Sequence, residues 1–118
     1  DNGTVAAASD WDGPMEIKSV RPALAESYER LFHDTSLPGF MLDLRNAQAG
    51  LTDGLLRRRL QRAIGVIYRP ESELASHYFH AVLPRQFDEY IWIDSTRAVQ
   101  PIETAELEGM PDTYPFGV

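Results

Sequence analysis

The run His77-Tyr78-Phe79-His80 holds two of the chain's three histidines three positions apart. On a helix that spacing puts both imidazoles on one face. Such a pair can share a metal, move a proton or line a pocket. A metal centre needs further ligands, and no neighbouring carboxylate or cysteine completes a recognised spacing. We therefore assign no metal, no catalytic residue and no cofactor. His77, Tyr78 and His80 stand as candidate substrate-binding residues in the wall of a cleft. The plainer alternative has one histidine packed between a strand and a helix and the other in solvent.

The remaining polar groups have structural explanations. His33 follows Glu29 by four, the spacing of a surface helix pair. Asp43 and Asp94 each sit near the end of an apolar run, where a carboxylate must be solvated, capped or paired; Arg45 and Arg97 are the neighbouring cations. Arg57-Arg58-Arg59 reads as the solvated side of a helix, and Trp11 and Trp92 as core or interface residues. None of the seven serines lies in a nucleophile elbow, and no phosphate-cradling glycine motif is present. The absence of cysteine removes disulfides, thiol nucleophiles and thiolate zinc sites together; it is compatible with the cytoplasm.

One domain must position these groups, because 118 residues leave no room for two. Eleven basic against eighteen acidic residues give a net charge of −7, which argues against nucleic acid as a partner. The distribution is uneven: residues 1–56 carry −5, 57–97 carry +2 and 98–118 carry −4. No apolar run approaches the ~20 residues of a membrane-crossing helix, and the first residues lack the pattern of a signal peptide. The chain opens on Asp1 rather than methionine, as a processed or cut-out piece would.

Gly3–Ala8 reads as a strand, residues 9–14 as a turn, and the alternation over Met15–Val20 as an edge strand. Leu24, Tyr28, Leu31 and Phe32 form one helical stripe beginning near Pro22 and ending between Thr35 and Gly39. Phe40–Leu44 is a short buried strand. Thr52 or Asp53 could cap a second helix with Leu56, Leu60, Ala63 and Ile64 inward. Ala63–Tyr68 also reads as a β-rich run, Glu71–Phe87 is ambiguous but permits a helix that Pro84 must end, and Tyr90–Ile93 is the clearest strand. Residues 104–118 form an acidic surface tail. Strands separated by helical stretches predict an α/β fold with a small, mostly parallel sheet and helices packed on it.

Long segments, in order, resemble the erythromycin esterase family. They are GTVAAASDWDGP (Gly3–Pro14), SYERLFH (Ser27–His33), FMLDLR (Phe40–Arg45) and RAIGVIYRPE (Arg62–Glu71). SHYFHA (Ser76–Ala81), QFD (Gln86–Asp88), TRAV (Thr96–Val99) and TYPFGV (Thr113–Val118) continue the likeness to the end. The resemblance implies the C-terminal quarter to third of a larger α/β protein. It further implies a parent that hydrolyses carboxylic esters, macrolide lactones among them, with a histidine general base and no metal. The family's catalytic histidines and glutamates lie upstream and have no counterpart here; His77 and His80 match family positions without an assigned role. The implied partners are the missing N-terminal part and a small-molecule ester, and the isolated piece is expected to be inactive. The alternative is a binding module that docks through an exposed apolar face.

Overall fold

Residues 1–100 and Ile102 are described by a computed structural model. They run β1 (Asn2–Ala7), β2 (Glu16–Ser19), α1 (Tyr28–His33), β3 (Gly39–Asp43), α2 (Ala49–Leu55), β4 (Arg59–Arg62), a 3-10 turn (Pro70–Ser72), α3 (Glu73–Ser76), β5 (Tyr78–Ala81), α4 (Leu83–Gln86), β6 (Glu89–Ile93) and β7 (Ser95–Thr96). Among these residues no helix is long and apolar enough to cross a membrane. The tail expected over 104–118 lies outside the described residues.

The α/β character holds, but the strands are mostly antiparallel, which corrects the mostly parallel sheet. Among the described residues three small sheets form, ordered β2-β1-β7, β3-β6 and β4-β5. Among the strand pairs of the described residues only β1 and β7 run parallel, through Asn2 with Ser95 and Gly3 with Thr96, beside two isolated parallel bridges. The pairs β1–β2, β3–β6 and β4–β5 are antiparallel. Part of the reason is connection length. The eight residues between Ala7 and Glu16 are too few for a parallel crossover, which takes about a dozen. Gly3 makes the parallel contact with β7 feasible: its φ is +109°, and a Cβ there would overlap the Thr96 carbonyl.

The helical stripe seats α1 as expected, although the helix starts later than Pro22. Ser27 is its N-cap, and its hydroxyl accepts from the Arg30 amide at 3.1 Å. Tyr28 and Phe32 then face inward with Leu44, Leu55, Ala81, Leu83 and Trp92. The Phe32 ring meets Phe40 edge-on at 5.4 Å and lies 5.6 Å from both Tyr90 and Trp92. Trp92 is core, whereas Trp11 is 77% exposed. Leu42 pairs with Tyr90 and Phe40 with Trp92, so both strands of the β3–β6 ribbon turn alternate residues onto α1.

Two further expectations are corrected between residues 49 and 87. The second helix is α2, which begins at Ala49, so Thr52 and Asp53 lie inside it rather than capping it. Leu60 belongs to β4, held by β5 on one side and a bridge to Ser27 on the other. The run Ala63–Tyr68 is not a strand; only Ile67 forms a bridge, to Ala8. Pro84 sits in the first turn of α4 and begins a helix instead of ending one.

Candidate functional site

The polar residues converge where α1, β4, α3 and β5 meet. Arg62 ends β4 and is its centre. Its Nε lies 3.0 Å from Glu73 Oε1, with side-chain exposures of only 7% and 5%. The same nitrogen donates to the Tyr78 hydroxyl at 2.9 Å, and the guanidinium stacks 5.3 Å from the Tyr78 ring centroid. A second guanidinium nitrogen donates to the Arg21 carbonyl at 2.7 Å. From the other side, the Tyr68 hydroxyl donates to Glu73 Oε1 at 3.1 Å and accepts from the Arg21 amide at 3.1 Å. Burial raises the pKa of both Tyr68 and Tyr78, so both stay neutral hydroxyls at physiological pH.

The three sequence candidates part company here. His77 caps the C-terminal end of α3, is buried, and accepts the Arg69 amide on Nε2 at 3.1 Å. An imidazole that accepts there carries its proton on Nδ1, and its Nε2 lone pair is already used. Its ring lies 5.2 Å from that of Tyr68. Tyr78 joins the same cluster through Arg62. His80, opposite Leu60 on β5, is exposed. The structure thus brings His77 and Tyr78 together and leaves His80 apart. Among the described residues no group of three or more metal-ligating side chains could hold an ion.

Reading along the chain misses three of the groups gathered in space. Glu29 does not pair with His33. It is buried at 7% exposure, and its Oε1 accepts the Arg62 amide at 3.0 Å. Its Oε2 is buried with no partner among the described residues. Glu29 and Arg62 line a cavity of about 260 Å³ with Val5, Val20 and Tyr90. Burial raises the Glu29 pKa against the lowering pull of its amide contacts and Arg62. Burial, followed by the Glu29 charge, pushes Tyr90 up to about 12.

His33, for its part, places Nδ1 2.7 Å from Asp94 Oδ1, 61 positions later. This displaces the expected Arg97 as the partner of Asp94. A carboxylate at Nδ1 leaves Nε2 as the proton acceptor, the orientation that general bases use. Neither dyad residue lines the Glu29 cavity, but Asp1, whose Oδ2 lies 3.7 Å from His33 Nδ1, does. Asp43 is a turn cap, accepting from the Arg45 and Asn46 amides at 3.0 Å each, and these bonds with the Asn46 side chain lower its pKa. Arg45 instead reaches Asp88 at 2.7 Å.

The raised Glu29 pKa has a consequence for stability. A carboxyl whose folded pKa exceeds its unfolded value stabilises the fold below the unfolded pKa, and that contribution is lost as pH rises through the folded one. The Glu29 contribution to stability is therefore expected to fall as pH rises from about 4.3. Glu29→Gln keeps an acceptor for the Arg62 amide and removes the charge, so it should flatten that decline. Urea denaturation at pH 4.5 and 7.5 tests this, and an unchanged slope with pH in the variant would contradict it.

The family profile described as erythromycin esterase matches residues 1–96. Among solved structures, a succinoglycan biosynthesis protein superposes with a TM-score of 0.66 at 21% identity, over 81% of this chain and 22% of that one. A protein from Bacillus cereus gives 0.62 at 17% identity, over 82% and 22%. At such identities these two matches speak for the fold alone, and this chain spans 22% of the length of each. The fold they share and the profile that covers most of the sequence agree: the chain belongs to the erythromycin esterase family.

Proposed function

We propose that this chain serves as the C-terminal domain of an erythromycin-esterase-like hydrolase, and that the remainder of the longer protein docks on it. In this reading the longer protein hydrolyses carboxylic esters, macrolide lactones among them. The present residues supply scaffold and are inactive alone. The observation that carries the docking is the outer face of the β3–β6 ribbon. Opposite the core, Met41, Ile91 and Ile93 are 65%, 70% and 57% exposed, beside Ile17 of β2 at 69%. Strands apolar on both faces are those covered on both sides in a complete sheet. Two-stranded ribbons with open edges are also marginal alone, so three small sheets gain most from strands contributed by a larger partner. The share of the solved relatives that this chain spans leaves ample polypeptide for that role.

The activity is tested by mass spectrometry for ring-opened erythromycin, comparing a full-length family protein that contains this sequence with the chain alone. Product from the longer protein only supports the reading. Robust hydrolysis by the 118 residues overturns the inactive-scaffold part, and product from neither removes the macrolide. The docking face has its own check. Ile91→Lys is expected to change the stability of the isolated chain by less than about 0.5 kcal/mol, because the residue is already in water. It should nonetheless reduce binding of an apolar fluorescent dye several-fold. Unchanged dye binding would place the accessible apolar surface elsewhere.

A further inference from the structure

Away from the polar centre, a cavity of about 530 Å³ opens beside β3 between α1 and α2. Leu31, Phe40, Leu51 and Leu55 give it apolar walls, and Arg59 is its single charged lining residue. The volume falls within the range of small-molecule pockets.

Two features distinguish it from an unfilled core. The first is Arg59 itself. Among the described residues its buried Nε has no hydrogen-bond partner, and no carboxylate forms an ion pair with this guanidinium. A guanidinium nitrogen withdrawn from water without an acceptor is costly, and a carboxylate is the acceptor that fits its planar fork. The second is the helix facing it. Gly50 and Gly54, one turn apart on α2, both line the cavity, and a Cβ built on either meets nothing within 4 Å. Glycine weakens a helix relative to alanine. Both glycines are exposed at the rim of the groove, and the space beside each is open.

We infer that this groove binds an amphipathic monocarboxylate, a saturated acid of medium chain length, with its carboxylate on Arg59 and its alkyl chain along the leucine walls. The absence of any acidic lining residue favours an anion over a cation, and the apolar walls favour a body without hydroxyls. This site is separate from the Arg62 cluster; Met41, on the outer face of the ribbon, also lines its rim, and the Arg59 readout below tells ligand binding apart from the docking reading.

The test is a titration of the isotope-labelled chain followed through its backbone amides, with decanoate, octanoate and decanol as probes below their aggregation limits. Decanoate is expected to saturate with shifts at Gly50, Gly54, Leu55 and Arg59. It should bind about tenfold or more tighter than octanoate, two methylenes shorter, and at least tenfold tighter than decanol. Arg59→Gln should weaken decanoate about tenfold and leave decanol unchanged. Gly54→Leu should abolish binding of both probes without lowering the unfolding midpoint, which separates a filled groove from a damaged fold. Equal binding of decanol and decanoate, or shifts centred elsewhere, would overturn the assignment. So would an Arg59→Gln variant that binds decanoate as the parent does.

Discussion

Arg62→Met is expected to cost about 3–5 kcal/mol, the usual penalty for removing one member of a buried ion pair. The loss comes less from the attraction itself than from what the substitution strands. The Glu73 carboxyl is left at 5% side-chain exposure with only the Tyr68 hydroxyl as donor, and the Arg21 carbonyl and Tyr78 hydroxyl lose the donors that Arg62 supplied. Domains of this kind are stable by about 5–15 kcal/mol in total, so the variant should sit near its unfolding threshold. Urea denaturation measures the loss directly. The companion variant Arg62→Met/Glu73→Leu removes both charges and should recover a substantial part of it, because a matched apolar pair avoids the desolvation cost. If the single variant loses less than 1 kcal/mol, the pair is not closed in solution.

Tyr28→Phe is expected to lose about 1–3 kcal/mol for one oxygen atom. Tyr28 is fully buried, and its hydroxyl is the junction of three segments. The carbonyls of Leu55 and Arg57 each lie 2.8 Å from it, and the Leu83 amide donates to it at 3.0 Å. That single atom ties α1 to the end of α2, the approach to β4 and the start of α4. Phenylalanine preserves the ring and leaves the Leu83 N–H buried without an acceptor. The unfolding midpoint should fall by roughly 4–8 °C per kcal/mol lost for a domain of this size. A midpoint within a degree of the parent would mean that water replaces the hydroxyl.

The two effects differ in how far they could be read from the chain. Tyr28 was legible as an inward residue because Leu24, Tyr28, Leu31 and Phe32 repeat at helical spacing; β1, β2, β3 and β6 were legible through alternation and β-branched composition. The stretch after Leu55 was not. Leu56, Leu60, Ala63 and Ile64 also repeat at helical spacing, but Arg59–Arg62 finds its hydrogen bonds on β5, and pairing with a distant strand overrides a local period. The parallel sheet failed for a related reason, since alternating elements do not reveal which strands become neighbours. The polar cluster was legible in types alone. Glu29, Arg62 and Glu73 are spread over 45 positions, and nothing local says that Glu29 will meet the Arg62 amide in place of His33. His33 and Asp94 are separated further still. His77 and Tyr78 were singled out by their types, and the fold places them against Arg69 and Arg62.

The parallel pairing of β1 with β7 also fixes an order of events during synthesis. Asn2 and Gly3 find their ladder partners only when Ser95 and Thr96 arrive, 93 positions later. At about 5–20 residues per second that is a wait of roughly 5–20 seconds. Throughout it, the β1 edge that β7 later covers stays open, and a two-stranded ribbon is marginal on its own and available to other nascent chains. A ribosome that stalls before Ser95 therefore exposes a sticky edge at the opposite end of the described sequence. The vulnerable moment of this chain's birth is set by the last short strand among the described residues, not by the core around Phe32.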